Sequence, residues 1–160
     1  MQTTIVYPTL QIGSRGPAVI DLQRLLNDRF APNPVGGVIN RLDEDGFYGP
    51  KTEDAVRIAQ FRYLLPQDGI AGPLTWASLQ AHAAQIDELP LLRRGSRGAY
   101  VVVIQNTLDP AQVGPADGDF GLRTEAAVKA FQAASKIVSD GVVGADTWTV
   151  LEGRASAQLV

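Results

Sequence analysis

Hydrolytic chemistry needs a nucleophile with a base, a metal ion, or two placed carboxylates. Few residues of this 160-residue chain could supply one. Its single histidine, His82, lies in Ala81-His82-Ala83-Ala84, past the apolar part of a helical segment, and reads as a solvent-facing side chain. With one imidazole and no cysteine, the common hydrolytic zinc sites and all thiolate chemistry are excluded. The acidic run Asp43-Glu44-Asp45 reads as a solvated loop ending in a turn-forming aspartate. Asp119-Phe120-Gly121 mimics a kinase metal-binding tripeptide, but the Gly-rich loop and the catalytic-loop signature are missing. Gly13-Ser14-Arg15-Gly16 lacks the Gly-Lys-Ser/Thr ending of a phosphate loop and reads as a helix-entry turn. No cofactor and no metal site are implied, and the chain is expected not to be an enzyme.

Composition narrows the classes further. Fourteen Lys+Arg face 17 Asp+Glu, a formal charge of −3, without the basic excess of a nucleic-acid binder. Hydrophobic residues make up 45%, an ordinary globular value, and no apolar run has the ~20 residues of a membrane span. Met1–Leu10 has no basic segment and too short an apolar stretch for a signal peptide. The expectation is that the chain is not exported by the standard route, with cytoplasmic synthesis into a particle as one case, or that a leader has been removed.

The chain carries the same unit twice. Leu10-Gln11-Ile12-Gly13-Ser14-Arg15-Gly16 returns as Leu92-Arg93-Arg94-Gly95-Ser96-Arg97-Gly98. The twelve residues from Asp45 to Val56 return from Asp117 to Val128 with seven identities, and Asp68–Trp76 returns as Asp140–Trp148. In both copies 23 residues separate one Asp-Gly from the next. The first copy holds ten more residues, within Asn27–Glu44, where Pro32, Pro34 and Gly36-Gly37 predict an extended loop. The copies are assigned to residues 1–86 and 87–160, with Pro90 stopping an Ala-rich helix near the boundary.

Each copy reads as three short helices, an all-α fold of two tandem modules. Gly16-Pro17 suits a helix start. Val19, Leu22 and Leu26 then share one face, matched by Val101, Ile104 and Leu108. Tyr100-Val101-Val102-Val103-Ile104 has strand propensity, which the repeat overrules in favour of a helix. The Asp-Gly-x-x-Gly segments turn the chain into helices 2 and 3. Glycine accepts positive φ there, and the aspartate accepts from nearby backbone N–H groups. Ala55, Val56 and Ala59, with Ala127, Val128 and Phe131, are expected to point inward, and Trp76 or Trp148 with Leu79 or Leu151 to close the core.

With these motifs in place, both halves resemble the peptidoglycan-binding domain family, the three-helix modules attached to bacterial cell-wall amidases, muramidases and transpeptidases. The carrying residues are Gly-Ser-Arg-Gly before helix 1, Leu22-Gln23 or Ile104-Gln105 within it, and Asp-Gly-x-[Phe/Tyr]-Gly-x-[Lys/Arg]-Thr-Glu-x-Ala-Val. Asp-Gly-x-x-Gly-x-x-Thr-Trp completes the set. The likeness covers about residues 9–80 and 91–152. It implies non-catalytic binding of peptidoglycan at the bacterial cell wall or periplasm. The first copy departs from the pattern: it reads Ala59-Gln60-Phe61 where the second reads Phe131-Gln132, which moves a ring by two positions, roughly 200° around the helix.

Peptidoglycan offers sugar hydroxyls and short peptides with carboxylates, which suit a shallow groove with an aromatic face, an amide and a cation. Arg15, Tyr48, Lys51 and Gln60 are the candidates in the first copy, and Arg97, Phe120, Arg123 and Gln132 in the second. A second reading makes the chain a structural or anchoring subunit of a phage-like or contractile injection particle, with the modules docking protein subunits. Its motives are the long loop, the displaced Phe61 and the β-prone arm Thr3–Tyr7, which could add a strand to a neighbour. Neither reading involves nucleic acid or membrane insertion.

Overall fold

Val19, Leu22 and Leu26 are fully buried, and the helix that carries them, α1, runs from Pro17 to Phe30. The computed structural model describes residues 6–31 and 37–158. Their other helices are α2 (Pro50–Arg62), α3 (Pro73–Ala81), α4 (Ala99–Thr107), α5 (Pro110–Val113), α6 (Leu122–Ala134) and α7 (Ala145–Gln158), with a 3₁₀ turn at Ile86–Glu88. Among the described residues β structure is confined to four isolated bridges, so the fold is all-α. The described residues fall into two compact units. The first takes those up to Tyr63 and Gln67–Ala83; the second takes Leu64–Pro66 and those from Ala84 onward.

In the first unit α1, α2 and α3 pack on one another around Val56, Ala59, Trp76 and Leu79. The second unit buries Val101, Ile104, Val128, Trp148 and Leu151 in the same places. The valine-rich stretch is helix α4, so tertiary packing of Val101 and Ile104 overrides its strand propensity. One helix was not foreseen. Pro110 cannot continue α4, and Asp109 accepts from Ala111 N at 3.0 Å, capping the single turn of α5.

In each unit an extended arm ties the helices together. Leu10 and Ala71 exchange backbone bonds of 3.1 and 2.8 Å, and Gly13 N and Ser14 O bond Tyr48 at 2.9 Å each. Leu92 pairs with Val143, and Gly95 and Ser96 with Phe120, in the same pattern. Each tryptophan donates its indole N–H to a proline carbonyl of that arm: Trp76 to Pro8 at 2.9 Å and Trp148 to Pro90 at 2.8 Å.

Two details revise the sequence expectation. Phe131 is only half-buried, under the Arg154 guanidinium at 5.9 Å, and Phe61 is also half-buried, so the two-position shift strands neither ring. Tyr63, fully buried and edge-on to Phe30 at 5.9 Å, supplies aromatic bulk to the first unit instead. His82 is exposed, as expected, but it terminates α3 rather than continuing it, with φ of 53° and Nδ1 at 3.2 Å from the Tyr63 hydroxyl. Partial burial, then the Arg29 and Arg62 cations, hold its imidazole below the ordinary range. Of the long loop, Pro32, Pro34 and Gly36 lie outside the described residues, as do Thr3, Thr4 and Ile5 of the arm. Tyr7, the arm's last residue, stacks on Trp76 at 4.4 Å.

Candidate functional site

Four glutamines hold the four turns that shape the surface of the units. Gln23 of α1 accepts from Gly46 N at 3.1 Å through its side-chain oxygen. Its amide nitrogen donates to Asp45 Oδ1 (3.0 Å), the Phe47 carbonyl (3.1 Å) and Thr52 Oγ1 (3.3 Å). Gln60 of α2 repeats this set on Gly69, Asp68, Ile70 and Thr75. Gln105 of α4 repeats it on Gly118, Asp117, Asp119 and Thr124. Gln132 of α6 repeats it on Gly141, Asp140, Val142 and Thr147. Each aspartate also accepts from the N–H two residues on, at 2.9 Å. One primary amide thus meets one donor and shares its two N–H hydrogens among three acceptors at a point where helix, turn and next helix meet.

This geometry sets the charge state of the turns. The Gln23 amide, then the Phe47 N–H, hold the Asp45 carboxyl below the ordinary range. For Asp117 the Asp119 N–H is the larger cause and the Gln105 amide follows; for Asp140 the Val142 N–H leads and Gln132 follows. The same hydrogen bonds favour the charged form of these carboxylates and make them supports of the turns.

The sequence candidates divide into buried and exposed groups. Tyr48 and Phe120 are fully buried, and Gln60 and Gln132 are within 2% of it. This corrects the expectation of an aromatic and amide surface at those positions. The rings fill the gap under the turn, the Tyr48 hydroxyl donates to the Gly69 carbonyl, and the amides are saturated by the clamps. Burial pushes the Tyr48 phenol far above its ordinary range. Arg15, Lys51, Arg97 and Arg123 are exposed. Arg123 reaches the carbonyls of Gln112 (3.1 Å) and Ala111 (3.3 Å), steadying the end of α5, and Arg97 lies 3.6 Å from the Asp119 carboxylate.

The surface ring is Phe47, which sequence reading passed over. It is 37% exposed, beneath the Arg15 guanidinium at 4.3 Å, and lies so close over Gly49 that a Cβ there would meet its Cε1 at 3.1 Å. Phe47 walls a groove of about 350 Å³ together with Leu42, Asp43, Pro50 and Lys51. Lys51 also lines a neighbouring groove of about 260 Å³ with Arg41, Asp54 and Ile58. The insertion supplies the outer wall of both. Asn27 pins it to α1 by receiving from Leu42 N (2.8 Å) and donating to Leu42 O (3.0 Å), and Arg24 pairs with Glu44 at 3.0 Å. The signal for the clamps was present in the sequence: Asp-Gly-x-x-Gly-x-x-Thr occurs at 45–52, 68–75, 117–124 and 140–147. No cluster of three or more metal-ligating side chains occurs among the described residues.

Two all-α units, each with two Gln-clamped turns and surface grooves beside them, define a tandem clamped-turn helical protein. Residues 15–79 and 97–151 both match the model of the peptidoglycan binding domain. These segments span most of the chain, and the chain belongs to the peptidoglycan-binding domain family. It is 51% identical over 43 residues to an uncharacterized protein in the bpoA1 3' region of Kitasatospora aureofaciens, a match covering 27% of this chain and 36% of that protein. Among solved structures it is similar to the SleB N-terminal domain (30% identity, TM-score 0.39, 48% of this chain and 94% of that one). It is also similar to an L,D-transpeptidase of Xylanimonas cellulosilytica DSM 15894 (34%, TM-score 0.39, 61% and 40%). A Burkholderia AP3 phage endolysin shares 23% identity at a TM-score of 0.42, over 95% of this chain and 62% of that one.

Proposed function

We propose that the chain binds bacterial cell-wall peptidoglycan through its two modules, at the wall or in the periplasm, and does no catalysis itself. Family membership of both halves supports the ligand class. The observation that carries the reading is the groove of the first unit, where an exposed ring under a guanidinium meets the cation of Lys51 beside an apolar wall. An aromatic face suits a sugar ring, and a cation suits a peptide carboxylate. Arg15 and Lys51 are the contacts assigned in the first unit. In the second, the candidates are Arg97, 3.6 Å from the Asp119 carboxylate, and Arg123, bonded to the carbonyls of α5. The non-catalytic reading is supported by the turn carboxylates, which are occupied as acceptors for a glutamine amide and a backbone N–H.

The test is sedimentation with purified sacculi at low salt, with the supernatant analysed for soluble muropeptides. The expected result is retention of the protein with no muropeptide released. Protein left in the supernatant contradicts binding, and released muropeptides contradict the absence of catalysis.

A further inference from the structure

The first-unit groove carries two opposite charges that the protein leaves unpaired. Asp43 stands on the insertion side and Lys51 on the first turn of α2; both are exposed, and neither has a hydrogen-bond or ion-pair partner among the described residues. Of the other charges nearby, Asp54, which shares the neighbouring groove with Lys51, also has no hydrogen-bond or ion-pair partner among the described residues, whereas three are engaged. Asp45 is held by Gln23 and the Phe47 N–H, Glu44 by Arg24 and Arg41, and Arg15 lies over Phe47. Between Asp43 and Lys51 the groove is apolar, lined by Leu42, Phe47 and Pro50. A neutral sugar could hydrogen-bond to both groups but would neutralise neither charge, and a simple carboxylate would leave Asp43 facing a like charge. The complement of this surface is a short apolar stem with an ammonium at one place and a carboxylate at another.

We propose that this groove recognises the peptide part of the polymer through a diamino acid residue, with Asp43 accepting from its ammonium and Lys51 donating to its carboxylate. The assignment rests on the peptidoglycan-binding reading above. It fits the chemistry of a cross-linkable stem, which must carry a side-chain amine to be acylated. It also makes the two units unequal. Pro115 stands where the first unit has Asp43, and Arg123, in the place of Lys51, is held on the carbonyls of α5. The extra segment of the first unit is therefore a specificity element: it supplies the acid and the wall that the second unit lacks.

The test is calorimetric titration of the full chain with a soluble stem tripeptide ending in a diamino acid, its side-chain N-acetyl and carboxyl-amidated analogues, and the bare disaccharide. Acetylation and Asp43→Asn should each weaken binding about five- to tenfold, and the variant should no longer distinguish acetylated from free amine. Amidation and Lys51→Gln should behave as the matching pair. If both variants bind the free stem like wild type, or the disaccharide binds as tightly as the stem, the assignment is overturned. Sedimentation of the wild type with sacculi separates the two levels. Retention with unchanged variants removes only this assignment, whereas no retention removes the binding reading beneath it.

Discussion

The Arg15 guanidinium lies 4.3 Å from the centroid of the Phe47 ring, at the same bridge position where the second unit sets Arg97 3.6 Å from Asp119. One backbone pairing therefore displays a cation on an aromatic face in one unit and a surface ion pair in the other. Phe47→Ala is expected to cost no more than about 1 kcal/mol of stability, the scale of an exposed cation–π contact. The same change should weaken sacculus binding several-fold. Chemical denaturation and sedimentation together check the split, and a large stability loss would make Phe47 a core residue instead.

The clamps predict a different balance. Gln105→Ala leaves the Gly118 N–H, the Asp119 carbonyl and Thr124 Oγ1 without their buried partner. Each orphaned group costs about 1–3 kcal/mol, less what water recovers, so a loss of about 2–4 kcal/mol is expected. Gln132→Ala should fall in the same range, measured as the shift of the urea midpoint.

The turn carboxylates give the stability curve its acid limb. The Asp117 and Asp140 carboxyls are held below the ordinary value of 3.8, so between the folded and unfolded pKa values the unfolded chain binds more protons. Their contribution is complete above about pH 5, begins to fall as the pH approaches the unfolded value and is lost as the pH drops through the folded pKa values. Asp117→Asn and Asp140→Asn keep an acceptor oxygen but do not titrate. Each should flatten the fall in thermal midpoint between pH 4 and 2.

Gly118 has φ of +76°, and a Cβ there would meet the Gly98 carbonyl and Val102 Cγ2, each at 3.3 Å. Gly118→Ala combines left-handed strain with a crowded backbone contact, and about 1–3 kcal/mol of destabilisation is expected by denaturation. Gly95, at φ of +93°, has no atom within 4 Å of that position, so Gly95→Ala should show the backbone strain alone and cost less.

The helices and their core faces were legible because the repeat fixes them twice: Val101 and Ile104 could be placed on a helix by their match to Val19 and Leu22. The turns were legible as glycine corners, but the direction of the next side chain was not. Tyr48 and Phe47 are adjacent, and in an extended corner neighbours point oppositely. The folded packing shows which one faces out: Tyr48 is buried and Phe47 exposed. Gln60 and Gln132 read as surface amides because polarity alone predicts exposure, whereas their burial depends on partners that lie up to 15 residues away.

Nuclear magnetic resonance mapping of the full chain during titration with soluble muropeptides reads binding at the first-unit groove residue by residue. Saturable amide shifts gathered on Asp43, Gly46, Phe47 and Lys51 are expected. Shifts that never saturate, or that leave those four amides in place while others move, would contradict binding at that groove.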